Sequence, residues 1–177
     1  MFFVPLELWP KLLSHLKLRP CPHCHTTGSL NAHGFLRGYG FDSSTLIRGK
    51  RIYCSNRGRR KGCGRTHSLF LPSFIPTFSI LAILLWNFLF LVLSGKSRRQ
   101  AFLITFPSSN FSRAYSLWKR CVKNQISLRH ALSALCQPPL SKNVHPWLHV
   151  LEHLHLAFPH SLCPITDFQT TSQLAFL

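Results

Sequence analysis

The chain has 177 residues, 46% of them apolar, enough for one ordinary domain or two small ones and too hydrophobic for wholesale disorder. Its 21 Lys and Arg face Glu7, Asp42, Glu152 and Asp167 alone, a formal charge of +17, with no carboxylate between Asp42 and Glu152. Self-repulsion on that scale points to a polyanionic partner, nucleic acid before anionic lipid, and argues against a two-metal nuclease or transposase centre, because four scattered acids supply no local pair.

Residues 5–18 set Leu6, Leu8, Trp9, Leu12, Leu13 and Leu16 at roughly helical spacing before Pro20, so residues 1–19 read as an N-terminal docking helix. Its prolines, Glu7 and scattered lysines are unlike a secretory leader. Seven cysteines are an odd number that disulfides cannot all absorb. A reducing, cytoplasmic setting is therefore expected, in which cysteine pairs mean metal more often than disulfide.

Residues 20–71 are rich in Gly, Cys, His and Arg, and "GSLNAHGFLRG" and "GKRIYC" suit small β-hairpins. Cys21-Pro22-His23-Cys24 is a two-residue knuckle, a spacing that lets both thiolates grip one tetrahedral Zn²⁺. Its partner is expected in Cys54 and Cys63, giving C-x2-C-x29-C-x8-C. The eight-residue gap departs from the two to four residues usual between such ligands. "SNRGRRKG" is thus read as a basic finger fixed at both ends by metal, with Arg57, Arg59, Arg60 and Lys61 on it and Arg65 beyond it as candidate phosphate contacts. Two alternatives stay open: the metal merely holds a small fold under a solvated loop, or His67 replaces one cysteine ligand.

Residues 77–137 read as mainly helical. "FSILAILLWNFLFLVLSG", residues 78–95, is apolar on every side, and no fixed charge lies between Arg65 and Lys96. A helix of about 16 to 18 residues reaches roughly 25 Å, short of a hydrocarbon core of about 30 Å. It is read as a central helix buried by its neighbours or by a second copy in a homodimer through residues 78–94. A membrane-anchored protein spanning with 78–94 is the runner-up.

Further on, Ser97 can cap a short helix over "RRQAFLI" carrying Arg98 and Arg99, "TFPSSN" breaks it, and Ser109 or Asn110 can cap a second helix from Phe111 to about Gln125. On that helix Phe111, Ala114, Tyr115, Trp118, Cys121 and Val122 share one face. Arg113, Ser116, Lys119, Arg120 and Lys123 lie mostly on the other, as a recognition helix needs and as a solvated basic surface helix also shows. Residues 143–177 are expected to form a C-terminal helix and tail; His145, His149 and His153 recur every four residues there, a spacing that could take a metal but better suits a wet polar face.

"CPHCHTTGSLNAHGFLRG" and "RIYCSNRGRRKGCGRTHS" resemble the zinc ribbons at the N-terminus of bacterial transposases and related mobile-element proteins. "GKSRRQAF" and "FSRAYSLWKR" look, more loosely, like the helix-turn-helix segment that follows such ribbons, and the resemblance covers about residues 20–130. It implies DNA binding in a mobile-element context. The expected protein is α+β, small zinc-ribbon β-hairpins followed by a mainly helical, helix-turn-helix-like bundle. Its expected function is zinc-dependent, non-catalytic binding of double-stranded DNA, with an accessory subunit or remnant of a transposase as the third reading.

Overall fold

The computed structural model describes residues 2–39, 44–76, 78, 80–107, 112–141, 143 and 145–177. It is α+β and divides into two compact units, Met1–Ser79 and Ile80–Leu177.

The first unit is built on a four-stranded sheet in the order β1-β4-β3-β2, from β1 (Phe2–Phe3), β2 (Leu30–Tyr39), β3 (Thr45–Cys54) and β4 (Thr66–Phe70). β3 pairs antiparallel with both β2 and β4, and β1 runs parallel to β4. Register places Leu30 opposite Cys54 and Ile52 opposite His67, and irregularities between Ala32 and Phe35 and between Leu36 and Arg37 interrupt the first ladder. Alternation puts Ile52 and Cys54 on the covered face, against Leu16, Cys21, Leu30 and Leu69.

The predicted docking helix is broken: α1 covers only Trp9–Ser14, between 3₁₀ turns at Leu6–Leu8 and Leu16–Leu18. Pro10 explains the break, since proline is tolerated in a first turn but removes a hydrogen bond and clashes deeper in a helix. The segment packs into the first unit through Leu16, with Leu12 and Leu13 alongside, and Trp9 Nε1 donates to Val4 O at 3.1 Å.

The second unit contains α2 (Ala82–Leu93), α3 (Arg98–Thr105), α4 (Ser112–Ser133), α5 (Pro146–Ala157) and α6 (Pro164–Ser172). Ala82, Leu85, Trp86, Phe88 and Leu89 of α2 are buried, and Phe88 meets Phe102 of α3 edge to face at 6.0 Å. The segment expected to be helical over residues 78–94 thus yields a helix of 12 residues, about 18 Å long. Among the described residues no helix is long and apolar enough to cross a membrane. Ser97 caps α3 as anticipated, within a full capping box with Gln100.

α4 departs from the expected face. Its buried stripe is Ala114, Leu117, Cys121, Leu128 and Leu132; Tyr115 is exposed and Trp118 half-buried. The helix carries two neighbouring apolar stripes and the core covers only one of them. The other stripe meets a cation, because the Arg98 guanidinium lies 5.6 Å from the Tyr115 ring and 5.5 Å from that of Trp118. Phe111 and the proposed caps Ser109 and Asn110 lie outside the described residues, as does Asp42.

Candidate metal centre

Cys21, Cys24, Cys54 and Cys63 converge in the first unit with all four sulfurs within 4.8 Å of one another. Cys21 Sγ is 3.8 Å from Cys63 Sγ, and Cys24 Sγ is 3.7 Å from Cys54 Sγ. Four thiolates held tetrahedrally at a metal–sulfur distance of about 2.3 Å define S···S edges of about 3.8 Å. These two separations match such edges, and the other sulfur pairs lie within 4.8 Å. All four cysteines are free thiols, and the spacing is far beyond the roughly 2.05 Å of a disulfide.

The local backbone explains both the convergence and the anomalous spacing. In the first knuckle, Cys21 N–H donates to Thr26 O at 3.1 Å and His25 N–H returns to Cys21 O at 2.9 Å, with His25 left-handed at φ 57°. The second pair repeats this pattern residue for residue. Cys54 N–H donates to Arg65 O at 2.9 Å, Gly64 N–H returns to Cys54 O at 2.9 Å, and Gly64 is left-handed at φ 73°. In each case the residue after the second cysteine closes the turn onto the first. Cys54-Ser55-Gly62-Cys63 is therefore a two-residue knuckle like Cys21-Pro22-His23-Cys24, with Asn56–Lys61 looped out of its middle. Gly62 N–H donates to Ser55 O at 3.0 Å and pinches the base of that loop.

The close approach at the pinch requires glycine. A Cβ on Gly62 would stand 2.2 Å from Ser55 O and 2.7 Å from Cys54 Sγ. Gly62→Ala is expected to lower metal affinity about 10- to 100-fold, the range seen when the groups that orient metal ligands are lost. Competition against a chromophoric chelator measures this, and unchanged affinity would show that the pinch does not support the site.

Amides and side chains surround the sulfurs. His23 N–H donates to Cys21 Sγ at 3.5 Å and Cys63 N–H to Cys54 Sγ at 3.4 Å. Hydrogen bonding with Thr26 holds the pKa of the Cys24 thiol down at about 6, whereas burial pushes that of Cys54 up to about 12. A metal arriving at this site must displace protons from the buried thiols, so its binding is coupled to pH. His67 Nε2 lies 3.3 Å from Cys21 Sγ, and burial lowers its pKa below the usual histidine value. It adjoins the cysteine group as a neighbour of one sulfur, and the four-cysteine set is complete without it.

The loop's charges all face outward. Arg57, Arg59, Arg60 and Lys61 are exposed, as is Arg65 just past the knuckle. Arg60 Nη1 donates to Asn31 Oδ1 at 2.9 Å, Lys17 reaches the same oxygen, and Thr26 Oγ1 donates to Lys61 O at 3.3 Å. Tyr53 OH donates to Asn56 Oδ1 at 3.0 Å. The loop is thus tied to β2, β3 and the first knuckle as well as to the metal ligands. The remaining predicted contacts belong to the second unit: Arg98 and Arg99 on α3, and Arg113, Ser116, Lys119, Arg120 and Lys123 on α4, all exposed.

The histidines of α5 serve the fold. His145 Nδ1 accepts from Trp147 N–H at 3.1 Å as the helix cap, His149 bonds to Asn143 O, and His153 is buried with Nε2 3.0 Å from Cys136 O. Among the described residues only the four cysteines form a group able to hold a metal. Sequence reasoning missed Ser55, Gly62, Asn31 and Asn56. The signal available for the first two was the shared pattern Cys-x-x-Cys followed by a residue able to turn left-handed, once six residues are set aside.

No protein-family model matches the chain, and no curated protein or solved structure matches it significantly.

Proposed function

We propose that this chain is a zinc-ribbon protein of transposase-like origin that binds double-stranded DNA without catalysing a reaction on it. The observation that carries the reading is the second knuckle: six residues with four cations and no acid are looped out of a metal-ligand turn and pinned at both ends. The donor set supports zinc, since four thiolates in tetrahedral array suit Zn²⁺ or iron, and closed four-cysteine sites of this kind are typically structural zinc. A solvated loop on a structural turn needs no such charge density. Like charges tethered within six residues repel one another, and phosphates lying between them relieve that repulsion.

In the second unit, α4 supports the duplex reading by setting Arg113, Ser116, Lys119, Arg120 and Lys123 outward from a buried stripe. Residues 106–111 separate α3 from α4, more than the three or four residues of the usual helix-turn-helix turn. The described carboxylates favour a binding role, because among the described residues none of them joins a group able to hold a metal ion.

The experiment is a salt titration of duplex-DNA binding by the zinc-loaded chain. With six to eight phosphates neutralised, affinity falls by roughly 10³-fold or more between 50 and 200 mM salt. A slope near zero would contradict the reading.

A further inference from the structure

The uncovered face of the sheet in the first unit carries aromatic side chains beside the basic loop. Strand alternation sends Ile52 and Cys54 into the core and Arg51 and Tyr53 to the opposite side, where register sets Tyr53 between Asn31 and Thr66, and Arg51 beside Ser68. Arg51, Thr66 and His33 are exposed, and Tyr53 is half-buried. The Tyr53 and His33 rings lie side by side, centroids 6.0 Å apart and tilted by 48°. At one end of this face Tyr53 OH holds Asn56 of the loop, and Arg60 holds Asn31. The rings and Arg51 thus share a sheet face whose end is hydrogen-bonded to the basic loop.

We infer that this sheet face is a binding site for unpaired nucleotides, with single-stranded DNA as its occupant. In a duplex the base faces are stacked on one another and cannot meet a ring on a sheet face, whereas an unpaired base can stack on Tyr53 or His33. Arg51, two residues along the strand and about 6.7 Å away, is placed for the adjoining phosphate. Charge complementarity selects a polyanion, because the one acid described in this unit, Glu7, lies on the N-terminal 3₁₀ turn. The inference rests on the DNA-binding reading above and deepens it: the loop engages the backbone of either form, and the rings favour strands that have opened.

The test measures affinity of the zinc-loaded full chain for an oligo-dT strand, for a duplex of equal length and for the matching oligo-U, at one salt concentration. Tyr53→Leu is expected to weaken oligo-dT binding about 10- to 100-fold, the range of one lost base–aromatic stack, with duplex affinity nearly unchanged. Tyr53→Phe, which keeps the ring and loses the bond to Asn56, is expected to retain oligo-dT affinity. Photocrosslinking of wild-type protein to a thiothymidine-substituted strand should mark the β2–β3 face, a readout independent of whether the Leu variant folds. Equal loss for strand and duplex in Tyr53→Leu, loss in Tyr53→Phe, or crosslinks confined to other segments would overturn the inference while leaving duplex binding intact. Tighter binding of oligo-U than of oligo-dT would overturn the assignment to DNA. Absence of binding to strand and duplex alike would overturn the DNA-binding reading itself.

Discussion

Cys21→Ser is expected to strip the metal from the first unit and unfold it. The buried cluster around the site has six members, Leu16, Cys21, Leu30, Ile52, Cys54 and Leu69, and two of them, Cys21 and Cys54, belong to the four-cysteine group. A unit of this size buries too little apolar surface to stand far above its conformational entropy, and small folds of this kind depend on a metal or disulfides. Structural zinc supplies on the order of 10 kcal/mol, as much as the whole stability of a typical domain. The variant should contain no stoichiometric zinc and lose amide protection throughout β2, β3 and β4. Chelation of the wild-type metal should reproduce this loss. The second unit should keep its protection in both cases, since its core of Leu85, Phe88, Phe102, Trp147 and Phe168 involves none of the four ligands. A first unit that stays protected without metal would refute the dependence.

The second large effect is electrostatic. Replacing Arg57, Arg59, Arg60 and Lys61 with Ser removes four exposed cations without touching a metal ligand. If each meets one phosphate, the slope of log affinity against log salt flattens by about 3.6, because each neutralised phosphate contributes roughly 0.9. Between 50 and 200 mM salt those four contacts alone account for about a 150-fold change in affinity. The loss should be similar for all DNA sequences, because phosphate contacts position a protein without reading bases. Binding measured by fluorescence anisotropy across that salt range provides the check, and an unchanged slope would remove the loop from the interface.

The convergence of the four cysteines was the most legible part of the chain, and for a definite reason: cysteine pairs at knuckle spacing admit few other uses in a reducing setting. The eight-residue gap between Cys54 and Cys63 was legible as an anomaly and illegible as a solution. Its resolution lies in backbone hydrogen bonds from Gly62 and Gly64, which side-chain identity alone does not announce. Helix extents failed where burial competes with periodicity. Residues 78–81 are as apolar as those after them, yet α2 begins at Ala82, since a uniformly apolar run marks burial without fixing where a helix starts. On α4 two apolar stripes were merged into one face, and only the packing of Leu117 and Cys121 distinguishes the covered stripe from the one beneath Arg98. His153 is buried although its spacing with His145 and His149 suits a wet face, because four-residue spacing is blind to which helix face meets the core.

Deleting Asn56–Lys61 separates the metal from the finger. The shortened chain joins Ser55 directly to Gly62, residues already linked by a 3.0 Å hydrogen bond, and leaves Cys54 and Cys63 at the spacing of Cys21 and Cys24. The decisive measurement is the salt dependence of its duplex-DNA affinity, made on protein shown by metal analysis to hold one zinc per chain. The account predicts full zinc content with a slope flattened by about 3.6. A zinc-loaded deletion variant with the wild-type slope would contradict it.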